Sequence, residues 1–325
     1  MTDTATPPGE FPKGTYYGGV GTYTPHPPLR QDPTMTNRRR ADDTCGIAQA
    51  AAVLGDWWNL LVLREIARGH HRFDTLVTEL GVSRKVLTQR LHDLVDHDVL
   101  TRRPYQQHPP RHEYVLTDRG RALLPTLVTM QDWADRWVLG DGNLTATTEP
   151  DGAEATRVQT LVGTRIPADV TLTATDRTPT DPVATTPTTV LFTYPGTGLP
   201  TPTPPHWTDI PGAAGCTLEN RLFRQQWNDF TAAGATVHGI STQRPDEQAA
   251  FAAAEAIPFT LLSDTDLRLT AALRLPTFRA GQQTRLKRLV LVADHTRTIT
   301  AAIYPVTDIP TAVTDALRLV RQTSR

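Results

Sequence analysis

Two kinds of residue in this chain could do chemistry: a pair of thiols, and a cluster of cations and amides. The thiols are Cys45 and Cys216, the two cysteines of the sequence. A cysteine attacks peroxide only as its thiolate, and a free thiol is mostly protonated at neutral pH. Cys216 opens the run Cys216-Thr217-Leu218-Glu219-Asn220-Arg221-Leu222-Phe223-Arg224, which reads as the start of a helix. Unpaired N–H groups and the dipole at a helix start favour the anion, so Cys216 is the first candidate for a reactive thiol. No Cys-x-x-Cys occurs, which excludes dithiol exchange. The second group is Arg84, Lys85, Thr88, Gln89, Arg90 and His92, followed by Arg102, Arg103 and Arg111. Cations on phosphates set register on a duplex, while side chains that reach base edges read sequence. Lys85, Thr88 and Gln89 are the base-reading candidates, Gln89 having the amide that suits adenine. Arg84, Arg90 and His92 would serve bases or phosphates. The net charge is −1, so any affinity for DNA must come from one surface.

The elements that must carry these residues can be read from periodicity. Phe73, Leu76, Val77 and Leu80 repeat at helical spacing until Gly81 breaks the period. Ser83 is a good N-cap for a second helix lined by Leu87, Leu91 and Leu94. Lys85, Gln89 and His92 face away from that stripe, with Arg84, Thr88 and Arg90 on its flanks. Two helices joined by a glycine turn, the second presenting cations and amides, predict a helix-turn-helix. After it come Val99-Leu100-Thr101-Arg102-Arg103, a proline-rich tip, and Arg111-His112-Glu113-Tyr114-Val115-Leu116, a basic hairpin that predicts a wing. Its Arg102, Arg103 and Arg111 suit the DNA backbone or minor groove. Helices are expected over 47–54 and 57–68 ahead of this unit, and a stripe of Leu123, Leu124, Leu127, Met130, Ala134 and Trp137 follows it. The second half alternates: strand 189–195, helix from Cys216 to 233, strand 236–241, helices 247–256 and 265–273, strands 288–292 and 298–304, and a last helix 310–321. The expectation is a multidomain chain, with an N-terminal α+β winged helix-turn-helix and a C-terminal α/β sandwich. The boundaries would be a disordered tail over 1–40, a DNA-binding domain over 41–140, a linker over 141–155 and the sandwich over 156–325. The tail is rich in Pro, Gly, Thr and Tyr, and Met35 opens more ordinary sequence, leaving Met1 and Met35 as alternative starts.

Several motifs sharpen this. Cys45, Leu54-Gly55-Asp56-Trp57-Trp58, Leu63-Arg64-Glu65-Ile66, Arg68-Gly69-His70-His71-Arg72-Phe73, Leu87-Thr88-Gln89-Arg90-Leu91, Pro109-Pro110-Arg111-His112-Glu113-Tyr114 and Leu116-Thr117-Asp118-Arg119-Gly120 stand in this order. Over about residues 45–140 the chain resembles the HxlR-type winged-helix regulators. The resemblance implies a MarR-like fold, a homodimer built partly by the terminal helices, and binding to double-stranded DNA at a pseudo-palindromic operator. It also implies that Cys45 senses oxidants or electrophiles. The second half carries Phe192-Thr193-Tyr194-Pro195, Gly215-Cys216-Thr217, Phe223-Arg224, Phe259-Thr260-Leu261-Leu262-Ser263-Asp264 and Lys287-Arg288-Leu289-Val290-Leu291-Val292. Over about residues 156–325 it resembles the peroxiredoxin-like branch of the thioredoxin fold. That resemblance implies Cys216 as the peroxidatic cysteine and Arg288 as the cation that holds its thiolate and polarises peroxide. It departs from the pattern at Ala213, where threonine is usual, and in its long loop 196–215. Thr197, Thr208 and Thr217 are the alternative sources of the hydroxyl. With no other cysteine in this domain, a sulfenate on Cys216 would need an external thiol reductant, or Cys45.

No apolar run approaches the ~20 residues that span a bilayer, and no hydrophobic signal core opens the chain, so a cytoplasmic protein without a membrane partner is expected. The histidines and cysteines show no ligand spacing, so neither a metal nor a cofactor is expected. The leading expectation is a redox-responsive DNA-binding regulator. The alternatives are a one-cysteine thiol peroxidase with an autoregulatory DNA-binding domain, and a regulator whose inactive redoxin domain serves protein contacts.

Overall fold

The computed structural model describes residues 44–138, 146–198, 207, 210–280 and 283–323. The tail expected over 1–40 lies outside them. The first part builds α1 (Gly46–Leu54), α2 (Trp57–Ala67), α3 (Phe73–Leu80) and α4 (Arg84–Asp96). Asp56 caps α2 by accepting from the Trp58 N–H at 2.9 Å. Gly81 ends α3 at φ 60°, where only glycine sits without strain, and Ser83 Oγ caps α4 by accepting from the Val86 N–H at 3.3 Å. Leu87, Leu91 and Leu94 of α4 pack with Val62, Leu63 and Ile66 of α2 and Leu76 of α3, all essentially inaccessible. Each such side chain stabilises the fold by about 1.5–3 kcal/mol, which gives these short helices the support that propensity alone would not. The wing follows as an antiparallel pair, β1 (Leu100–Gln106) and β2 (Arg111–Leu116), with Leu100 opposite Leu116 and Gln106 opposite Arg111. The short α5 (Asp118–Arg121) and the longer α6 (Leu124–Trp137) complete the winged helix-turn-helix.

The second part forms α7 (Ala153–Gln159), β3 (Leu172–Ala174), β4 (Pro179–Thr180), β5 (Thr188–Thr193), α8 (Cys216–Gln225), α9 (Trp227–Ala232), β6 (Ala235–Ser241), α10 (Pro245–Ala254), β7 (Thr260–Ser263) and α11 (Arg268–Leu273). The hairpin of β8 (Thr277–Ala280) and β9 (Gln283–Leu286) leads to β10 (Leu289–Asp294), β11 (Ile299–Ile303) and α12 (Ile309–Thr323). The main sheet has the order β11-β10-β5-β6-β7-β3-β4. β5, β6 and β7 run parallel at its centre, and β10, β11, β3 and β4 pair antiparallel around them. Alternation along the buried β5 sends Val190 and Phe192 to a core shared with α8, α9 and α12, and Leu191 to one shared with α7 and α11. This is the α/β thioredoxin-like sandwich expected of this half. The differences include the helix expected from Cys216 to 233, which is divided at Gln226 into α8 and α9, a β8–β9 hairpin that the periodicity does not announce, and Arg288, which precedes its strand instead of opening it.

The two parts pack on each other. Arg274, at the end of α11, pairs with Asp135 of α6, and the Thr277 hydroxyl donates to Asp132 of α6. Gly69, at φ 92°, lies against the ring of Pro167. The stretch expected as a linker is packed from residue 146 onward: Ala146 is buried and its N–H donates to the Pro211 carbonyl at 3.0 Å. Small polar composition suggests freedom, yet a buried cation overrides it. Lys287 Nζ reaches Glu154 at 2.7 Å, Thr148 Oγ1 at 3.1 Å and the Thr147 carbonyl at 3.3 Å. Among the described residues no single helix is long and apolar enough to cross a membrane.

One glycine tests the close packing of the wing root. A Cβ on Gly120 would stand 2.2 Å from the Val99 carbonyl oxygen, at the start of the wing, and 3.0 Å from Leu116. Gly120→Ala is therefore expected to destabilise the winged helix by about 1–3 kcal/mol. The check is a lowered urea midpoint for loss of helix by circular dichroism, and an unchanged midpoint would contradict this packing.

Candidate functional site

The thiol site is built where β5 runs out and α8 begins. Gly215 precedes Cys216 at φ 105°. A side chain at 215 would meet Ile309 at 2.9 Å and the Arg288 guanidinium at 3.6 Å, so glycine is what lets Arg288 reach across. The structure brings Cys216 and Arg288 together, with Nη2 3.1 Å from Sγ. The same guanidinium donates through Nε to Glu219 (3.1 Å), through Nη1 to the Gly212 carbonyl, and through Nη2 to the Ala214 carbonyl (2.8 Å). Arg288 therefore clamps the turn ahead of the thiol as well as the thiol itself.

Electrostatics do not make Cys216 a ready nucleophile. Burial pushes its thiol up to about 11, Arg288 opposes that, Glu219 adds to it, and the Gly196 N–H favours the anion. Burial wins, and the thiol is held mostly protonated at neutral pH. The expectation that the helix start holds the thiolate fails here because Sγ is shut away from water, Cys216 being 4% exposed. Glu219 is itself raised to about 7 by burial, with Arg288 opposing. Its charge therefore changes in the neutral range, beside the thiol. Glu219 reads in the sequence as an ordinary helical charge, although its spacing of three from Cys216 places both on one face of α8.

The departure at Ala213 has a packing reason. Ala213 is fully buried with Ala146, Trp207, Phe278 and Ala280, so a methyl fills the position where threonine was expected. Its carbonyl lies 3.5 Å from Cys216 Sγ. Of the alternative hydroxyls, Thr208 lies outside the described residues and Thr217 is half-buried on α8. Thr197 is buried and locked to Gln243, whose Oε1 accepts from the Thr197 N–H at 2.7 Å while its Nε2 donates to the Thr197 carbonyl at 2.6 Å. Cys45 stands apart in character: it is a half-buried free thiol at the N-cap of α1, making no side-chain cap bond. Glu65, His70 and Glu79 place ligand atoms within 4.8 Å of one another, a grouping that the sequence spacing does not suggest. Arg64 and Arg68 already occupy Glu65 at 2.7 and 2.9 Å, so that carboxylate is neutralised without an ion.

The candidate DNA face divides into free and committed side chains. Lys85 is exposed and has no side-chain partner among the described residues, and Gln89 is exposed with only its amide nitrogen used, on Asp93 at 2.8 Å. Thr88 is exposed and donates to the Arg84 carbonyl at 2.8 Å. Arg84 pairs with Asp74 at 2.8 Å and lies over the Phe73 ring, while His92 pairs with Asp96 at 2.7 Å, all of them on exposed, exchangeable contacts. Arg90 differs from its expectation. Its side chain is 15% exposed and is held by Asp56 at 2.6 Å and Asp93 at 3.1 Å, so it ties α4 to the cap of α2 instead of facing outward. On the wing, Arg102 and Arg111 are exposed without partners among the described residues, whereas Arg103 and Arg72 share Glu113 at 3.0 and 3.2 Å. Arg72 also covers the Tyr105 ring at 4.5 Å, a brace that the sequence does not announce.

Residues 53–141 match the HxlR-like helix-turn-helix family model, and residues 210–302 match that of the AhpC/TSA family. A helix-turn-helix transcriptional regulator of Mycobacterium tuberculosis is 39% identical over 92 residues, which are 28% of this chain and 58% of that protein. One from Synechocystis is 40% identical over 95 residues, 29% of this chain and 70% of that protein. The chain belongs to the HxlR-like regulators. It spans somewhat over half the length of the mycobacterial relatives. Among solved structures, the peroxidoxin BcpB of Mycobacterium tuberculosis is 25% identical with a TM-score of 0.41, covering 50% of this chain and 96% of its own. Peroxiredoxin Q of Xanthomonas campestris is 20% identical with a TM-score of 0.40, covering 48% and 92%.

In the half of this HxlR-like protein that matches AhpC/TSA, the two buried charges around Cys216 act in opposite directions. Glu219→Gln keeps an acceptor for Arg288 but removes the anion, and Arg288→Met removes the cation. In a Cys45→Ser background, iodoacetamide labelling of the Cys216 peptide followed by mass spectrometry should be severalfold faster with Glu219→Gln. Its pH profile should also move to lower pH, each unit being about tenfold in thiolate. Arg288→Met should slow labelling. Rates equal to wild type in the glutamine variant would show that its charge does not reach the thiol.

Proposed function

We propose that this protein is a homodimeric transcriptional regulator that binds a pseudo-palindromic operator and changes its DNA occupancy when Cys216, Cys45 or both are oxidised. The observation that carries it is the joining, in one packed body, of an exposed reading pair, Lys85 and Gln89, to a thiol held by a buried arginine. Lys85, Thr88 and Gln89 read bases, Arg84 and His92 can release their exposed partners to phosphates, and Arg102, Arg103 and Arg111 take the backbone or minor groove. Support for the dimer comes from apolar exposure on the outer helices: Ile47 of α1 is 82% exposed, and Trp133 and Trp137 of α6 are 60% and 65% exposed. A DNA partner supports a cytoplasmic location.

In the redox step the Cys216 thiolate attacks one oxygen of a peroxide. An S–O bond forms, the O–O bond breaks, and the departing alkoxide or hydroxide takes up a proton. The sulfur loses two electrons to become a sulfenic acid, and the peroxide is reduced to an alcohol or water. An external thiol, or Cys45, then displaces water from the sulfenic acid to form a disulfide. Arg288 would hold the thiolate and the attacked oxygen. The closed site and the raised thiol favour an occasional, stoichiometric oxidation over turnover as a peroxidase. A second reading, an inert redoxin domain used for protein contacts, draws on the methyl-filled position of Ala213.

Genome-wide mapping of bound sites supplies the operator for two measurements. Lys85→Ala combined with Gln89→Ala should weaken binding to it, by fluorescence anisotropy, by about 1–3 kcal/mol for each base that is no longer read. Unchanged affinity would remove α4 as the reading element. One equivalent of peroxide should change the affinity of wild type and of Cys45→Ser while leaving Cys216→Ser unaffected, if Cys216 is the sensor. A response that survives in Cys216→Ser and disappears in Cys45→Ser would assign sensing to Cys45, and no response in any form would favour the inert domain.

A further inference from the structure

A cleft of about 800 Å³ opens where the two halves of the chain meet. The winged-helix half contributes Arg68, Gly69 and His70, and the sandwich half contributes the last turns of α7 and α11 and the segment 164–168. Among the described residues five arginines line it, Arg68, Arg157, Arg165, Arg274 and Arg297, and no carboxylate does. Two of the five are spent on local structure: Arg165 donates twice to the Thr296 carbonyl, and Arg297 holds the Ile166 and Pro167 carbonyls and Asp181. The other three keep donors to spare. Arg157 has no ion-pair partner among the described residues and gives one N–H to the Arg274 carbonyl. Arg274 uses one nitrogen on Asp135, and its Nε is buried without a partner among the described residues. Arg68 uses Nη1 on Glu65. Burial holds both Arg68 and Arg157 below the ordinary guanidinium range, helped by Arg64 and then Arg274 at Arg68 and by Arg274 at Arg157.

Cations gathered at a partly buried surface repel one another and have lost part of their hydration, a cost that an oxyanion between them would offset. Guanidinium groups suit carboxylate or phosphate oxygens, which they can hold through paired N–H bonds. Leu161, Ile166 and Leu273 line the same cleft as the cations. The volume falls within the range of small-molecule sites, about 300–1,000 Å³. We propose that this cleft binds a small amphipathic anion, its carboxylate or phosphate head among Arg68, Arg157 and Arg274 and its apolar body on Leu161 and Leu273. Because Arg68 belongs to the DNA-binding half and the others to the sandwich, occupancy fastens one half to the other. Neither cysteine takes part, so the site stands independently of the redox reading.

Calorimetric titration of the full chain with octanoate and with octyl phosphate, both below their micellar range and at about 0.1 M salt, tests this. Saturable binding at one site per chain by either probe is expected, and the stronger of the two identifies the head group. Arg157→Gln and Arg68→Gln should each weaken it at least tenfold, whereas Arg244→Gln, an arginine outside the cleft, should bind as wild type. Circular dichroism establishes that the variants are folded, and Arg68, the more exposed of the two, keeps the test valid if Arg157→Gln does not fold. Absence of saturable binding by both probes would overturn the proposal. So would wild-type affinity in a folded cleft variant, or equal binding of octylamine.

Discussion

Arg288 is a charge taken almost wholly out of water, and a buried guanidinium is tolerable only when its N–H groups are met. Here they are met by a carboxylate, the carbonyls of a turn and a sulfur: Glu219, Gly212, Ala214 and Cys216. Each acceptor is thereby placed. The turn at 212–214 is bent round the cation, Gly215 has to lack a side chain so that the arm can pass, and α8 begins where the carbonyls leave off. Removing the guanidinium would leave Glu219 buried without its counter-charge, so the pair is better understood as a mutual requirement than as a source of net stability.

The neighbouring residue repeats the arrangement on the other side of the chain. Lys287 and Arg288 are consecutive between β9 and β10, and their side chains reach different partners, Glu154 and Glu219. Lys287 is 1% exposed and is met by Glu154, Thr148 and the Thr147 carbonyl, and the Tyr304 hydroxyl bonds to the same carboxylate. One short segment before β10 thus holds two buried cations, one facing the thiol and one facing the chain that arrives from α6. The two environments also touch directly, since the Ala146 N–H donates to the Pro211 carbonyl just ahead of the clamped turn.

The parts of this arrangement that follow from local periodicity are legible in the sequence. The stripe Leu87, Leu91, Leu94 reveals α4, the Gly81 break and the Ser83 cap place its start, and the apolar run at 189–193 reveals the central strand. What sequence does not reveal is which charges lose water. Arg90 looks like its neighbours on α4 until Asp56 and Asp93 enclose it. Residues 146–154 look like a linker because their own composition is small and polar; the demand on them comes from Lys287, far along the chain. Cys216 and Arg288 could be paired from motif resemblance, but the sign of the thiol's shift depended on burial, and burial depends on how Ala213 packs with Trp207 and Phe278.

That packing sets the condition for any chemistry at the sulfur. Sγ is enclosed by the Ala213 carbonyl, the Arg288 guanidinium and the start of α8, so a peroxide cannot approach it while the turn at 212–214 stays closed. Opening the turn removes carbonyl acceptors from Arg288 and leaves the sulfur to take more of its charge, while the entry of water lifts the burial that keeps the thiol protonated. Access and ionisation are therefore one event here. The same opening would strain the bond from Ala146 to Pro211, which fastens the described chain beyond α6 to this turn. A sulfenate oxygen would add volume beside that turn, which ties the chemistry proposed at Cys216 to the segment that anchors Ala146.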